Sequence, residues 1–143
     1  MPELLLSFYG DDLTGSTDVM EALALRGVPT VRFTQQPTQA QREKFSDVRA
    51  IGLAGSSRSE SPTWMDEHSA PAFAWLKTLD ATVCHYKICS TFYSSPTIGS
   101  IGRVIDIVQA VFQQANVPLV VGAPQLKRHT AYGNLFAAYQ GRK

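Results

Sequence analysis

FYGDDLTGSTD, residues 8–18, directly follows the apolar run Leu4–Leu6 and carries three carboxylates and two glycines. An apolar strand that runs into an acidic, glycine-bearing turn and then a helix is the layout of many α/β sites, because backbone ends converge there on an open crevice. We therefore expect these carboxylates to lie at the carboxyl end of a first strand, beside the start of a helix.

Four further apolar runs of strand length follow along the chain. The five predicted strands are Leu4–Tyr9, Val28–Phe33, Val48–Ala54, Ala81–Ile88 and Val117–Gly122. Helical periodicity predicts helices over Ser16–Arg26, Pro62–Leu79 and Ser100–Ala115. The interval 38–45 fits a short helix or a loop. At the carboxyl end, either a short strand at Tyr132–Ala137 closes the domain or the chain is a piece of something longer. The alternation predicts a doubly wound α/β domain, a mainly parallel sheet of five or six strands with helices on both faces.

The composition is that of an ordinary globular domain. The chain has 143 residues, 44% of them hydrophobic and 17% charged, with a formal net charge of +1. This balance gives no reason to expect nucleic acid or a membrane as a partner. Cys84 and Cys89 have too few suitable neighbours for a structural zinc site, so we expect reduced thiols, no metal and a cytoplasmic protein.

Three more polar motifs follow predicted strands. They read AGSSRSES (54–61), KICSTFYSSPTIGSIGR (87–103) and GAPQLKRHT (122–130). The planar guanidinium of Arg58 could bind a carboxylate or phosphate with two parallel hydrogen bonds. The alternative is that Arg58 is a solvated surface residue in a serine-rich loop. Lys87 is either a site residue or a surface charge on an edge strand. The sequence contains neither GxGxxG after the first strand nor GxxxxGK[ST], the two common nucleotide-phosphate motifs.

The adjacent carboxylates Asp11 and Asp12 have several possible duties. They could accept hydrogen bonds from the hydroxyls of a polyol or act as general base on one of them. Alternatively, Asp12 and Asp18 could cap the helix and interact with its dipole, while Thr14 or Ser16 could also serve as the cap.

In this order, the four motifs resemble those of the N-terminal domain of the four-carbon acid sugar kinase family, across essentially the whole chain. Members use ATP to phosphorylate a terminal hydroxyl of acids such as threonate, erythronate or 3-oxo-tetronate. The resemblance implies that residues 1–143 are the acid-sugar-binding domain and that the glycine-rich nucleotide-binding domain is absent from this chain. ATP and Mg²⁺ belong to the full-length family, and we expect neither to be bound here.

The resemblance also implies roles for individual residues. Asp11 and Asp12 match the family's paired aspartates, one of which would orient or deprotonate the reacting hydroxyl. The residues implied to bind the substrate are Thr14, Ser57, Arg58, Ser59, Lys87, Ser90, Thr91 and Arg128. Tyr93 stands where the family usually has an aspartate, and Lys127 and His129 flank Arg128 where a glycine and often a tyrosine are usual. We expect these departures from the family pattern to affect which substrate is bound and how tightly.

The predicted function is therefore that of the substrate-binding domain of an acid sugar kinase, inactive as this chain alone. Its expected partners are a small sugar acid, a nucleotide-binding domain in trans and, as an open alternative, a second copy of the chain. The alternative function is a non-catalytic interaction module with an exposed apolar patch around Tyr132–Tyr139. A metal-dependent phosphatase is disfavoured, because later strand ends lack the acids for an octahedral Mg²⁺ shell.

Overall fold

A four-stranded parallel sheet forms the centre of the computed structural model, which describes residues 3–138. Its strands are β1 (Leu6–Gly10), β2 (Thr30–Phe33), β3 (Ala50–Ala54) and β4 (Val83–Lys87), in the order β2-β3-β1-β4. The register pairs Gly10 with Ala54 on one side and with Lys87 on the other. The carboxyl ends of β1, β3 and β4 are therefore level at one edge, as the strand pattern predicts.

Five α-helices accompany the sheet in the described residues. They are α1 (Leu13–Ala24), α2 (Gln39–Glu43), α3 (Pro62–Trp64), α4 (Ala70–Thr78) and α5 (Ile101–Phe112). A π-helical turn, Met65–Ser69, joins α3 to α4, so the predicted helix over 62–79 is confirmed with a widened turn inside it. Helix α1 begins three residues earlier than predicted, because Asp12 rather than Thr14 or Ser16 is its N-cap. None of the helices in the described part of the chain is long and apolar enough to cross a membrane.

Alternation along β1 shows that helices cover both faces of the sheet. Gly10 faces α1, since a side chain at this position would collide with Ser16 of that helix. Tyr9 must point the opposite way, and its ring packs 5.2 Å from that of Phe73 in α4. Helix α5 packs beside α4, where Val104 is fully buried. The predicted α/β class with helices on both faces is confirmed.

The predicted fifth strand of the sheet, Val117–Gly122, is wrong. This segment has no regular secondary structure, and no backbone hydrogen bond among the described residues joins it to β4. Pro118 has no N–H to donate, and the side chains of Leu119 and Val120 are 55% and 84% exposed. Its apolar composition resembles that of a strand, but it lies against a cavity of about 330 Å³ beside β4 instead of pairing with it.

The carboxyl end of the described chain is a separate hairpin. Strands β5 (Arg128–Ala131) and β6 (Asn134–Ala137) pair antiparallel around Tyr132 and Gly133, which both have positive φ. The strand predicted over 132–137 therefore exists, but it pairs with β5 rather than closing the main sheet. The main sheet has four strands, fewer than the five or six expected.

Candidate functional site

The site is built where β1, β3 and β4 end. The backbone N–H of Asp11 donates to the carbonyl of Lys87 over 2.9 Å, and that of Gly55 donates to Gly10 over 2.9 Å. These bonds extend the sheet by one step and hold three polar turns together. Residues that are more than 70 positions apart in the chain, such as Asp11 and Cys89, therefore become neighbours.

Both carboxylate oxygens of Asp12 are engaged. Oδ1 accepts a hydrogen bond from the N–H of Gly15 and so caps α1. Oδ2 lies 3.2 Å from Nη1 of Arg58, and the side chains of Arg58 and Asp12 remain 36% and 24% exposed. Asp12 thus links the start of the helix to the arginine-bearing turn after β3. The capping role that the sequence offered for Asp12 is confirmed, and its role in a site stays a prediction.

Asp11 has a different environment from its neighbour. Its side chain is buried, with 4% of the residue exposed. Oδ2 accepts the N–H of Cys89 over 3.0 Å, but Oδ1 has no hydrogen-bond partner among the described residues. Burial raises the pKa of Asp11, an effect that the Cys89 hydrogen bond and the positive charges of Lys87 and Arg58 partly oppose. Asp11 therefore has one carboxylate oxygen, Oδ1, without a hydrogen-bond partner in the described residues.

The turn after β3 presents Arg58. Its backbone N–H donates to the carbonyl of Asp11 over 3.1 Å, while Nη2 lies 3.5 Å from Oγ1 of Thr91. Gly99, at φ +63°, lies behind this turn, and a Cβ added there would be 2.5 Å from the Arg58 carbonyl oxygen. The guanidinium is therefore held between the turn after β1 and the turn after β4.

An open cleft of about 810 Å³ lies in front of this group. Its lining residues are Asp12, Arg58, Ser59, Thr91, Phe92, Tyr93, Ser94 and Ile98. The side chain of Tyr93 is 55% exposed and forms part of the wall. The cleft combines one guanidinium with several hydroxyls and aromatic rings, which suits a small, hydroxylated anion.

The remaining predicted substrate residues lie around the cleft rather than on its lining. Thr14 is exposed in the first turn of α1, and Ser57 is fully buried behind Arg58. Lys87, Ser90 and Arg128 line the neighbouring cavity beside β4. The Nζ of Lys87 donates to the carbonyl of Ile88 over 2.8 Å, and Nη1 of Arg128 donates to that of Leu126 over 3.1 Å.

Sequence reasoning missed several residues that shape the site. Cys89 contributes its backbone N–H to Asp11, and Phe92 and Ile98 line the cleft. Tyr86 bonds the hydroxyl of Ser57, and Gly99 packs on Arg58. Only Gly99 carried a signal, as a glycine directly before the predicted helix over Ser100–Ala115, and the structure shows Ser100 as the N-cap of α5.

No metal or nucleotide site is evident in residues 3–138. No group of three or more His, Cys, Asp or Glu side chains there could hold a metal ion. The buried free oxygen of Asp11 is a single potential ligand, and the glycines near it belong to no phosphate-binding motif. The described residues therefore do not fit Mg²⁺ or ATP, and we derive no step through either.

Comparison with known proteins places these features in a family. Residues 6–142 match the family described as the sugar-binding N-terminal domain. The chain belongs to this family. The match confirms the resemblance that the four motifs carry to the N-terminal domain of acid sugar kinases.

Two curated relatives in the family are kinases. A 3-oxo-isoapionate kinase from Paraburkholderia graminis is 52% identical over 138 residues, which cover 96% of this chain and 29% of the relative. A 3-oxo-tetronate kinase from Haemophilus influenzae is 35% identical over 122 residues, which cover 85% of this chain and 28% of the relative. The chain spans less than a third of the length of these relatives.

Solved structures share the fold. A protein from Salmonella typhimurium LT2 superposes with a TM-score of 0.81 at 27% identity, covering 94% of this chain and 31% of the other. A domain of unknown function from Bordetella bronchiseptica, a domain-swapped dimer with bound citrate, gives a TM-score of 0.75 at 18% identity. That alignment covers 96% of this chain and 33% of the other.

Proposed function

We propose that this chain binds a small sugar acid in the open cleft and forms the substrate-binding part of a kinase acting on acids of the 3-oxo-tetronate or 3-oxo-isoapionate type. The observation that carries the proposal is the convergence of Arg58, Asp12 and Asp11 at one sheet edge, in front of a cleft lined by hydroxyls. Membership in a sugar-binding family and the names of the two kinase relatives support it.

Arg58 would bind the carboxylate of the acid. Its guanidinium is partly exposed on the cleft and already spans Asp12 and Thr91, so its orientation is set before a ligand arrives. Charge-assisted bonds from a preorganised arginine are stronger than neutral ones and select planar anions. Ser59 and Thr91 line the same cleft and offer hydroxyls to the polyol part of the acid.

Asp11 and Asp12 differ in how available each is as the base, because Asp12 lines the cleft whereas Asp11 is buried beside it. Asp12 has both oxygens committed to Gly15 and Arg58, whereas Oδ1 of Asp11 has no partner in the described residues. A raised pKa brings a carboxylate closer to the range in which it accepts a proton effectively near neutral pH. Asp12 would hold Arg58 and the start of α1 in place, and proton transfer from a substrate hydroxyl to Asp11 would require its buried Oδ1 to become accessible from the cleft.

Phosphoryl transfer also needs a nucleotide site. The family resemblance implies ATP and Mg²⁺, but the described residues fit neither, so we propose that another domain, on the same or a separate polypeptide, holds the nucleotide. The open face of the cleft would then be where that domain meets the sugar acid.

The proposal is tested by following backbone amide resonances while D-threonate and D-erythronate are added to the purified chain. We expect the amides of Arg58, Ser59 and Thr91 to shift in a saturable manner. Those of Gln41 and Glu43 in α2, which do not line the cleft, serve as an internal control and should stay unchanged. Absence of any saturable shift around the cleft would contradict the proposal.

A second candidate function is self-association through the carboxyl-terminal region. Five apolar side chains there are each at least half exposed, namely Leu119, Val120, Leu126, Tyr132 and Phe136, while Tyr139 of the predicted patch lies outside the described residues. Apolar surface of this kind often marks an interaction site, and the Bordetella structure is a domain-swapped dimer. Sedimentation equilibrium should then show a dimer that a Val120→Lys change weakens, whereas a monomer at high concentration would oppose this candidate.

A further inference from the structure

The hydroxyl of Tyr86 makes a contact that the proposed function does not use. It lies 3.1 Å from Oγ of Ser57, the residue before Arg58. Neither Tyr86 nor Ser57 lines the open cleft, and the side chain of Ser57 is completely buried. This pair therefore lies behind the arginine and cannot contact a ligand in the cleft directly.

Tyr86 is itself held rigidly by other aromatic rings. It is paired in register with Tyr9 of β1, and the two ring centroids are 6.0 Å apart. The ring of Phe73 from α4 meets Tyr86 edge-on at 5.8 Å. Because rings in such a cluster have little freedom, the Tyr86 hydroxyl is a fixed point supplied by the sheet.

The hydroxyl of Tyr86 stays protonated across the physiological range. Burial raises the pKa of Tyr86 far above its ordinary value, and the hydrogen bond to Ser57 lowers it by less. Burial raises the pKa of Tyr9 too, against the opposing effect of the neighbouring Ser69 and Ser57 hydroxyls. A neutral phenol can donate to Ser57, which gives the fully buried serine hydroxyl a hydrogen-bond partner.

We propose that Tyr86 is a positioning residue that fixes Arg58 through Ser57. The turn has a second attachment, since the N–H of Arg58 donates to the carbonyl of Asp11 over 3.1 Å. Tyr86 holds the Ser57 hydroxyl, and the Asp11 carbonyl holds the Arg58 amide. The guanidinium is then directed toward Asp12 and Thr91. This inference rests on the proposed function for its effect on ligand binding, but the attachment itself can be tested without a ligand.

The test uses Tyr86→Phe, Ser57→Ala and the double variant. Tyr86→Phe keeps the ring in its cluster and removes the hydroxyl, so Ser57 loses this bond and keeps only the Tyr9 hydroxyl beside it. We expect the amide proton of Arg58 to exchange about three- to tenfold faster in each single variant, and affinity for D-threonate or D-erythronate to fall by a similar factor. The double variant should be no worse than the singles, because neither unpaired hydroxyl remains.

Ser7→Ala is the matched control. Ser7 is equally buried in β1 but lies by Thr82 and Cys84, away from the cleft. This variant should change global stability without changing exchange at the Arg58 amide or affinity for the acid. A general loss of stability would move all four variants together and so can be told apart from loss of positioning.

The outcomes separate the two proposals. If the unaltered chain binds no sugar acid, the proposed function fails, and hydrogen exchange at Arg58 alone decides the role of Tyr86. Unchanged exchange at that amide in Tyr86→Phe overturns the positioning role. In a chain that does bind the acid, unchanged affinity in Tyr86→Phe overturns it as well.

Discussion

Arg58 and Asp12, 46 residues apart in the chain, form an ion pair with 3.2 Å between Nη1 and Oδ2 at the carboxyl edge of the sheet. The pair joins the turn after β1 to the turn after β3. Because both side chains are partly exposed, the attraction itself adds little to folding stability, about 0–1 kcal/mol. Its main consequence is geometric, since it directs the guanidinium across the cleft.

Replacing Arg58 with lysine keeps the positive charge but removes the planar guanidinium and its paired N–H donors. We expect Arg58→Lys to weaken binding of D-threonate or D-erythronate about tenfold, since a point charge cannot make two parallel bonds to a carboxylate. Calorimetric titration measures the change. Arg103→Lys is the matched control, because Arg103 pairs with Asp66 outside the cleft lining and its loss should leave affinity unchanged. Equal weakening in both variants would contradict a specific role for Arg58.

The two functions of Asp12 can be separated by substitution. Asp12→Ala removes the cap of α1 and the partner of Arg58, and we expect a loss of about 1 kcal/mol in the free energy of unfolding. Asp12→Asn retains a capping oxygen and should lose clearly less stability, while it still disturbs Arg58. Urea unfolding gives the stabilities. If both variants lost the same stability, the capping bond to Gly15 would not be important.

Asp11 should make stability depend on pH. Burial raises its pKa in the folded state, so the folded protein favours the protonated form. The resulting stabilisation is complete below the unfolded pKa of about 4 and is lost as pH rises through the raised folded value. Asp11→Asn is neutral throughout, so it should unfold at higher urea than the parent chain at pH 7. The difference should shrink as pH falls toward 4, and a difference independent of pH would contradict this account.

Gly99 should be intolerant of a side chain. Gly99→Ala places a Cβ 2.5 Å from the carbonyl oxygen of Arg58 and also strains a backbone at φ +63°. Gly27→Ala is the control, because Gly27 has φ +73° but nothing within 4 Å of an added Cβ. We expect both variants to lose stability, with Gly99→Ala alone losing affinity for the sugar acid. Thermal unfolding and calorimetry together check this, and retained affinity in Gly99→Ala would exclude the packing role.

Much of the fold follows from local pattern. The runs that contain β1 to β4 are apolar and end in polar turns, and parallel strands must bring those turns to one edge. The sequence therefore predicted that Asp11, Asp12 and Arg58 would meet. Val117–Gly122 has the same composition but pairs with no strand in residues 3–138, because pairing with β4 depends on tertiary packing that composition does not encode.

The division of roles within the site was not predictable. Asp11 and Asp12 are adjacent, and the sequence does not say which one caps α1 and which is buried against Cys89. Likewise, Ser57 and Ser59 flank Arg58 symmetrically in sequence, yet one is buried against Tyr86 and the other lines the cleft. Side-chain direction in a short 3₁₀ turn depends on neighbours that are distant in sequence.

The most direct test of the central claim is calorimetric titration of the chain with D-erythronate and, in parallel, with erythritol, its neutral counterpart. The two ligands share hydroxyls and differ in the carboxylate that Arg58 is proposed to bind. We predict saturable one-to-one binding of the acid and much weaker binding of the neutral polyol. Equal affinity for both ligands, or no binding of the acid, would contradict the claim.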